Sequence, residues 1–216
     1  MLESSLRELD SRGWVCLPGI SRKEALFDLA GMLGCPVSSP TGELIKELRP
    51  TASSLAWPNT LSAAHGTGAF PLHTDTAFWT TPARYVVLRA RGDIRRHTII
   101  RSFHDCFEEG GARLRILAER SVWLARTGAC SFYCSMSINL GNTFGWRYDS
   151  QCMLPANNAA LEVSTFLKDL IQPGGGECIE WEKENAVVLS NWLVMHGRGP
   201  APDDEHGRVL ERIYVR

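Results

Sequence analysis

Phe70-Pro71-Leu72-His73-Thr74-Asp75-Thr76 is the stretch on which the fold and chemistry of this chain turn. Its first residues read as a short strand, and successive side chains of extended backbone alternate between two faces. His73 and Asp75 therefore share a face, where an imidazole and a carboxylate can aim at one point. The tripeptide is weak alone: six histidines and nine aspartates give about 0.25 His-x-Asp by chance in a chain of this length. A hydrogen-bonded core histidine followed by a turn aspartate would explain the same residues.

A third donor has to come from a distant strand. His196 ends the apolar run 186–195 and stands where the chain enters Gly197-Arg198-Gly199-Pro200. Two imidazoles and one carboxylate make the facial triad that holds Fe(II) and leaves three adjacent positions open. The closing segment Gly207-Arg208-Val209-Leu210-Glu211-Arg212-Ile213-Tyr214-Val215 adds a second signal. Alternation puts Arg208, Leu210, Arg212 and Tyr214 on one face, and Val209, Glu211, Ile213 and Val215 on the other. Two guanidiniums beside Leu and Tyr fit a barrel interior that clamps a carboxylate, since arginine is always charged and binds carboxylates with a two-pronged fork. An edge strand with solvated arginines is the plainer explanation.

Short segments rich in β-branched and aromatic residues, separated by Gly, Pro and Asn, predict strands at 43–48, 70–74, 83–89, 97–101, 130–138, 145–149, 177–181, 186–190 and 207–215. Helices are predicted over 103–120, broken near Gly110-Gly111, and over 155–171. Another starts at Ser21, with Glu24 completing a capping box, and buries Leu26, Leu29, Ala30 and Leu33 before Gly34 and Pro36 stop it. Many short strands with few helices predict a mainly β fold with flanking helices, a double-stranded β-helix or jelly-roll, cupin-like barrel.

Composition narrows the function. With 216 residues and no linker or repeat, the expectation is a single domain over 1–216. The net charge of −1 gives no global attraction to nucleic acid or to an anionic membrane. No apolar run reaches the roughly 18–20 residues of a membrane helix. The N-terminus has no basic segment followed by an apolar run, so no secretory signal is expected. Seven cysteines without a CxxC pair predict reduced thiols and a cytoplasmic protein. Arg89, Arg91, Arg95 and Arg96 form a basic cluster, read as a solvated loop.

A family resemblance joins these pieces. Gly13-Trp14-Val15-Cys16-Leu17-Pro18-Gly19 comes first, then Leu72-His73-Thr74-Asp75-Thr76-Ala77-Phe78-Trp79 with Pro82-Ala83-Arg84-Tyr85. Asn191-Trp192, Met195-His196-Gly197-Arg198-Gly199 and Arg208-x-x-x-Arg212 follow. In order and spacing the set resembles the Fe(II)/2-oxoglutarate-dependent dioxygenases of the taurine dioxygenase and clavaminate synthase type. The resemblance implies His73, Asp75 and His196 as iron ligands, with Arg208 and the Thr98 hydroxyl holding the distal carboxylate of 2-oxoglutarate. It implies oxidation by dioxygen, most simply hydroxylation, of an unactivated C–H on a small carboxylate- or amino-acid-like substrate, with release of succinate and CO2. A carboxylate at position 75 favours this over halogenation. Arg212, Phe78 and Arg147 are the candidate substrate contacts. Ser190 departs from the family, in which many members carry an acidic residue at that point. A non-catalytic barrel, or a metal-binding cupin that does without 2-oxoglutarate, is the alternative.

Overall fold

The computed structural model describes residues 2–57, 60–92, 94–127, 130–172, 175–181, 185–200 and 209–216. The chain opens with α1 (Leu2–Arg12), β1 (Trp14–Leu17), α2 (Lys23–Leu33), β2 (Pro36–Val37), β3 (Lys46–Leu48) and the short α3 (Leu61–His65). The barrel strands β4 (Phe70–His73), β5 (Tyr85–Arg91) and β6 (Thr98–Ser102) lead into α4 (Phe103–Arg120). Short strands follow: β7 (Val122–Arg126), β8 (Ser131–Ser135), β9 (Ser137–Leu140), β10 (Thr143–Trp146) and β11 (Met153–Pro155). Last come α5 (Asn158–Leu170), β12 (Glu177–Ile179), β13 (Ala186–Ser190), β14 (Val194–Arg198) and β15 (Val209–Val215).

Two antiparallel sheets form the jelly roll. The larger runs β1-β13-β5-β15-β2, with β3 also on β15, and the smaller runs β12-β6-β14-β4. Alternation along each strand decides which side chains fill the space between the sheets. Val86, Leu88 and Ala90 of β5 meet Ile100 of β6, Val194 of β14, and Leu210 and Tyr214 of β15 there. The intervening residues Tyr85, Val87, Ile213 and Val215 face outward onto Leu26, Leu29 and Ala30 of α2. Each such leucine, fully buried, stabilises the layer by about 1.5–3 kcal/mol. Outside the smaller sheet, Leu72, Ile99 and Met195 pack against α4 and α5.

Local signals set the helix ends. Ser102 caps α4 by accepting from the Asp105 N–H at 3.0 Å, and Asn157 caps α5 by accepting from Ala160 N–H at 2.9 Å. The predicted break in α4 falls on Gly111, at φ +71. Gly110 serves packing instead, since a Cβ there would lie 2.8 Å from the Phe166 ring of α5.

Three expectations need correction. The capping box at Ser21 does not form: α2 is capped at Arg22, with no side-chain cap, and begins at Lys23. Tertiary contacts set that end, where Lys23 Nζ reaches Glu211 at 3.6 Å and Leu26 is fully buried. Arg89 and Arg96 are not solvated, being 5% and 1% exposed. Arg89 pairs across the β5–β15 ladder with the wholly buried Glu211, which explains a carboxylate on the apolar outer face. Finally, the predicted strand 130–138 is two strands, β8 and β9.

Candidate metal centre and its cavity

His73 closes β4 and His196 lies in β14, directly opposite in the ladder. Asp75 follows in the turn beyond β4, and that turn is held from three sides. Asn191 accepts from the Asp75 N–H at 2.8 Å and donates to the Asp75 and Ala83 carbonyls, each at 2.8 Å. The Thr74 N–H donates to Tyr148 O at 2.7 Å. Thr76 stands at φ +56, the one non-glycine residue with positive φ among the described residues. Such a backbone costs about 1–3 kcal/mol and persists only where its surroundings fix it. Here the Thr76 hydroxyl accepts from Ala83 N–H at 2.9 Å, and the bend turns the Asp75 carboxylate inward.

The result is a compact donor set. His73 Nε2 lies 3.7 Å from Asp75 Oδ1, and His196 Nε2 lies 3.7 Å from Asp75 Oδ2. One donor atom from each residue falls within 4.8 Å of the other two, and all three residues are buried. Metal–donor bonds of about 2.0–2.2 Å allow two donors on one ion to stand up to about 4.4 Å apart, so the two 3.7 Å His–Asp separations suit a shared ion. His73 Nδ1 donates to the Pro71 carbonyl at 3.0 Å, leaving the Nε2 lone pair toward the site. His196 Nδ1 is buried without a hydrogen-bond partner among the described residues.

Charge balance differs around the three groups. Burial would raise the Asp75 carboxyl, but Arg212 and the two imidazoles outweigh it and hold it well below the usual carboxylate range. Arg212 Nη1 donates to both carboxylate oxygens, at 3.2 and 3.1 Å. Burial pushes the His196 imidazole down to about 3 despite the pull of Asp75, so it is neutral at pH 7. Burial acts on His73 as well, yet the Asp75 carboxylate 3.7 Å away and the charge of Asp149 raise it above its ordinary value.

The triad sits at the inner end of a cavity of about 770 Å³. Thr98, Leu210, Arg212 and Tyr214 line it from the barrel, while Thr41, residues 46–51, Trp57 and residues 60–62 line its mouth. That volume lies in the range that takes a ligand of drug size, mostly apolar with a few convergent polar groups.

No protein-family model matches this chain, and no curated protein matches it. Solved structures do. Asparagine oxygenase, in complex with Fe(II), 2S,3S-3-hydroxyasparagine and succinate, aligns with a TM-score of 0.77 at 14% identity, over 99% of this chain and 78% of that one. The fold is that of the iron- and 2-oxoglutarate-dependent oxygenases. The non-heme iron oxygenase OrfP, in complex with Fe and alpha-ketoglutaric acid, aligns at 0.74 and 18% identity, over 99% and 78% of the two chains. PvcB from Pseudomonas aeruginosa aligns at 0.70 and 16% identity, over 100% and 80%.

Within this oxygenase fold the sequence-derived candidates separate. His73, Asp75 and His196 converge, and Thr98, Phe78 and Arg212 line the same cavity. The Thr98 hydroxyl accepts from the Trp181 indole N–H at 2.9 Å, which leaves its own proton to donate into the cavity. Arg208 lies outside the described residues. Arg147 is a correction: it is 6% exposed, does not line the cavity, and donates to the Trp79 and Thr80 carbonyls at 2.8 and 3.2 Å. A buried guanidinium whose two Nη groups are held by backbone carbonyls stiffens the turn after Asp75 and leaves neither Nη free for a substrate. Neither Asn191 nor the cavity-lining Asp149 has a role assigned from sequence. A polar amide in the turn just after the largely apolar β13 is the available signal for Asn191; nothing in the local pattern marks Asp149.

Proposed function

We propose that this chain is an Fe(II)- and 2-oxoglutarate-dependent dioxygenase that hydroxylates an unactivated C–H of a small, amino-acid- or carboxylate-like substrate. The observation that carries the reading is the His73–Asp75–His196 donor set, buried at the inner end of a substrate-sized cavity. In this reading the three residues hold iron, which with 2-oxoglutarate supplies the oxidising chemistry, releasing succinate and CO2 from the co-substrate as dioxygen is consumed. The donor chemistry suits Fe(II), two imidazoles and one carboxylate leaving positions for a bidentate co-substrate and dioxygen.

The remaining roles belong to the chain itself. Pro71 fixes the His73 tautomer, burial keeps His196 neutral and ready to coordinate, and Asn191 aims Asp75. The Thr98 hydroxyl donates to the distal carboxylate of 2-oxoglutarate, and Arg208 is assigned to the same carboxylate. Arg212 balances the charge of Asp75 and stands beside the space left for substrate, with Phe78 as an apolar wall. The hydroxyasparagine bound by asparagine oxygenase supports a substrate of amino-acid size and chemistry. A single domain over 1–216, a cytoplasmic setting and no nucleic-acid partner complete the reading; among the described residues no helix is long and apolar enough to cross a membrane.

The test is spectroscopic. Anaerobic addition of Fe(II) and 2-oxoglutarate gives a visible metal-to-ligand charge-transfer band, and admitting oxygen then yields succinate. Absence of both the band and any succinate would overturn the proposal. Candidate amino acids are then ranked by how strongly they stimulate CO2 release.

A further inference from the structure

The loop His65-Gly66-Thr67-Gly68 connects α3, whose Leu61 and Ser62 wall the cavity, to β4, which ends in His73. Its backbone turns three successive carbonyls toward two buried guanidiniums. Arg198 donates through Nε to Gly68 O at 2.8 Å and through Nη2 to Gly66 O at 2.6 Å. Arg96 donates to Thr67 O at 2.7 Å. Gly66 needs its freedom here, with φ +54 and a Cβ that would lie 2.7 Å from Ser53 Oγ. The glycines therefore give the loop a shape that the arginines grip.

Arg198 stands two residues beyond His196 on β14, so both side chains share the inward face. The β4–β14 ladder is irregular at this point: His196 opposes His73, but Arg198 opposes Phe70, so β4 carries one residue more than β14 across the same span. Pro71 sits in that bulge and has no N–H for the ladder. Backbone pairing is thus poorest where the spacing of the two imidazoles is set. Arg198 spans the gap, its guanidinium carbon 3.6 Å over the Phe70 ring while its nitrogens hold Gly66 and Gly68. Gly197 admits the close approach, since a Cβ there would lie 2.7 Å from Phe70 O.

We infer that Arg198 is a positioning residue: it fastens loop 65–68 and the start of β4 to the strand carrying His196, and so keeps His73 in register with His196. The same bonds tie the metal end of the cavity to the helix at its mouth. A planar guanidinium can stack on a ring and bind two carbonyls in its plane at once, which an ammonium cannot. The inference rests on the proposed function for its catalytic meaning, and its geometry stands apart from it.

Arg198→Met and Arg198→Lys test it, with Leu29→Ala, in the core beneath α2, as a control for general destabilisation. Co(II) affinity, read from its visible spectrum, is expected to fall about 10–100-fold in the methionine variant, as for other groups that orient a metal ligand. Lysine restores only part of the loss, and Leu29→Ala lowers Tm while keeping wild-type Co(II) affinity. In metal-free protein, amide exchange over 61–72 accelerates by about tenfold or more in Arg198→Met, with the barrel strands of the larger sheet unchanged. Wild-type Co(II) affinity in the arginine variants, or an acceleration spread evenly over the chain, overturns the inference. Where Arg198→Met does not fold, both measurements are made on Arg198→Lys, and the same results support or overturn the inference. Wild-type protein that binds no Co(II) and gives no charge-transfer band defeats the proposed function instead, and the exchange measurement still decides the role of Arg198.

Discussion

The two ends of the cavity are made by different means. At the inner end His73, Thr98, His196 and Arg212 all project from paired strands, and Asp75 is locked by the Asn191 amide one turn beyond β4. At the mouth the lining comes from β3, from α3 and from the connections between them, and Trp57 is 78% exposed. Strand pairing, which Arg198 supplements at the β4–β14 bulge, fixes side-chain positions through cooperative backbone bonds, whereas short loops leave them adjustable. The contrast puts the coordination geometry on the barrel and, within the proposed function, assigns substrate choice to the segment between β2 and β4.

Removing a donor is the harshest way to break that contrast. Asp75→Ala is expected to lose metal binding by more than the about 10–100-fold that outer partners cost, together with all succinate formation. Co(II) titration and a succinate assay check this, and retained turnover would remove the triad from consideration. Asn191→Ala comes next. It leaves the buried Asp75 N–H without its acceptor and the Ala83 carbonyl without the amide donor, each at a cost of about 1–3 kcal/mol, while the Asp75 carbonyl keeps the Thr76 hydroxyl, and it lets the carboxylate drift. Urea unfolding and Co(II) affinity should both worsen; an effect on stability alone would mean that the turn, not the ligand, is what Asn191 serves.

The pH dependence of metal-free stability sharpens the comparison further. His196 is held near a pKa of about 3 against an ordinary 6.5, so the unfolded chain binds more protons between those values. Stability therefore falls as pH falls through this window, by at most about 1.4 kcal/mol per pH unit for one proton. Asp75 adds to the loss only below its ordinary 3.8. His73 has the opposite sign: its raised pKa contributes stability that is present below the ordinary value of 6.5 and lost as pH rises through the folded one. Urea titrations from pH 4 to 8 on wild type and His196→Gln separate the two, since the glutamine variant should lose the slope on the acid side.

The smallest effect is expected at the mouth. Trp57→Ala should change stability by within about 0.5 kcal/mol, as for exposed positions in general, and leave the anaerobic charge-transfer band as it was. Its consequence is a raised KM for the substrate, measured once stimulated CO2 release has identified one. A weakened band would show that the two ends are not separate.

Much of the inner end is legible along the chain because it depends on strand alternation. Residues two apart share a face, so Arg212 groups with Leu210 and Tyr214 from the order of residues alone, whereas Asp75 meets His73 through the turn beyond β4 and not along the strand. The same rule puts Glu211 on the apolar face but cannot supply Arg89, its partner on another strand. Arg147 escapes for a related reason: an arginine can meet substrate, solvent or a set of carbonyls, and only the path of residues 77–80 decides. The helix start at Lys23 shows the limit of local signals, a complete capping box yielding to contacts with β15.

By itself the sequence determined the donor types, the alternation that aligns the inward-facing barrel residues and the strand-rich pattern, because these depend on residues close together along the chain. Only the tertiary structure decided that His196 faces His73, that Asn191 holds Asp75 and that Arg212 neutralises it. Those contacts join residues more than a hundred positions apart, and no local preference encodes which distant strand becomes a neighbour.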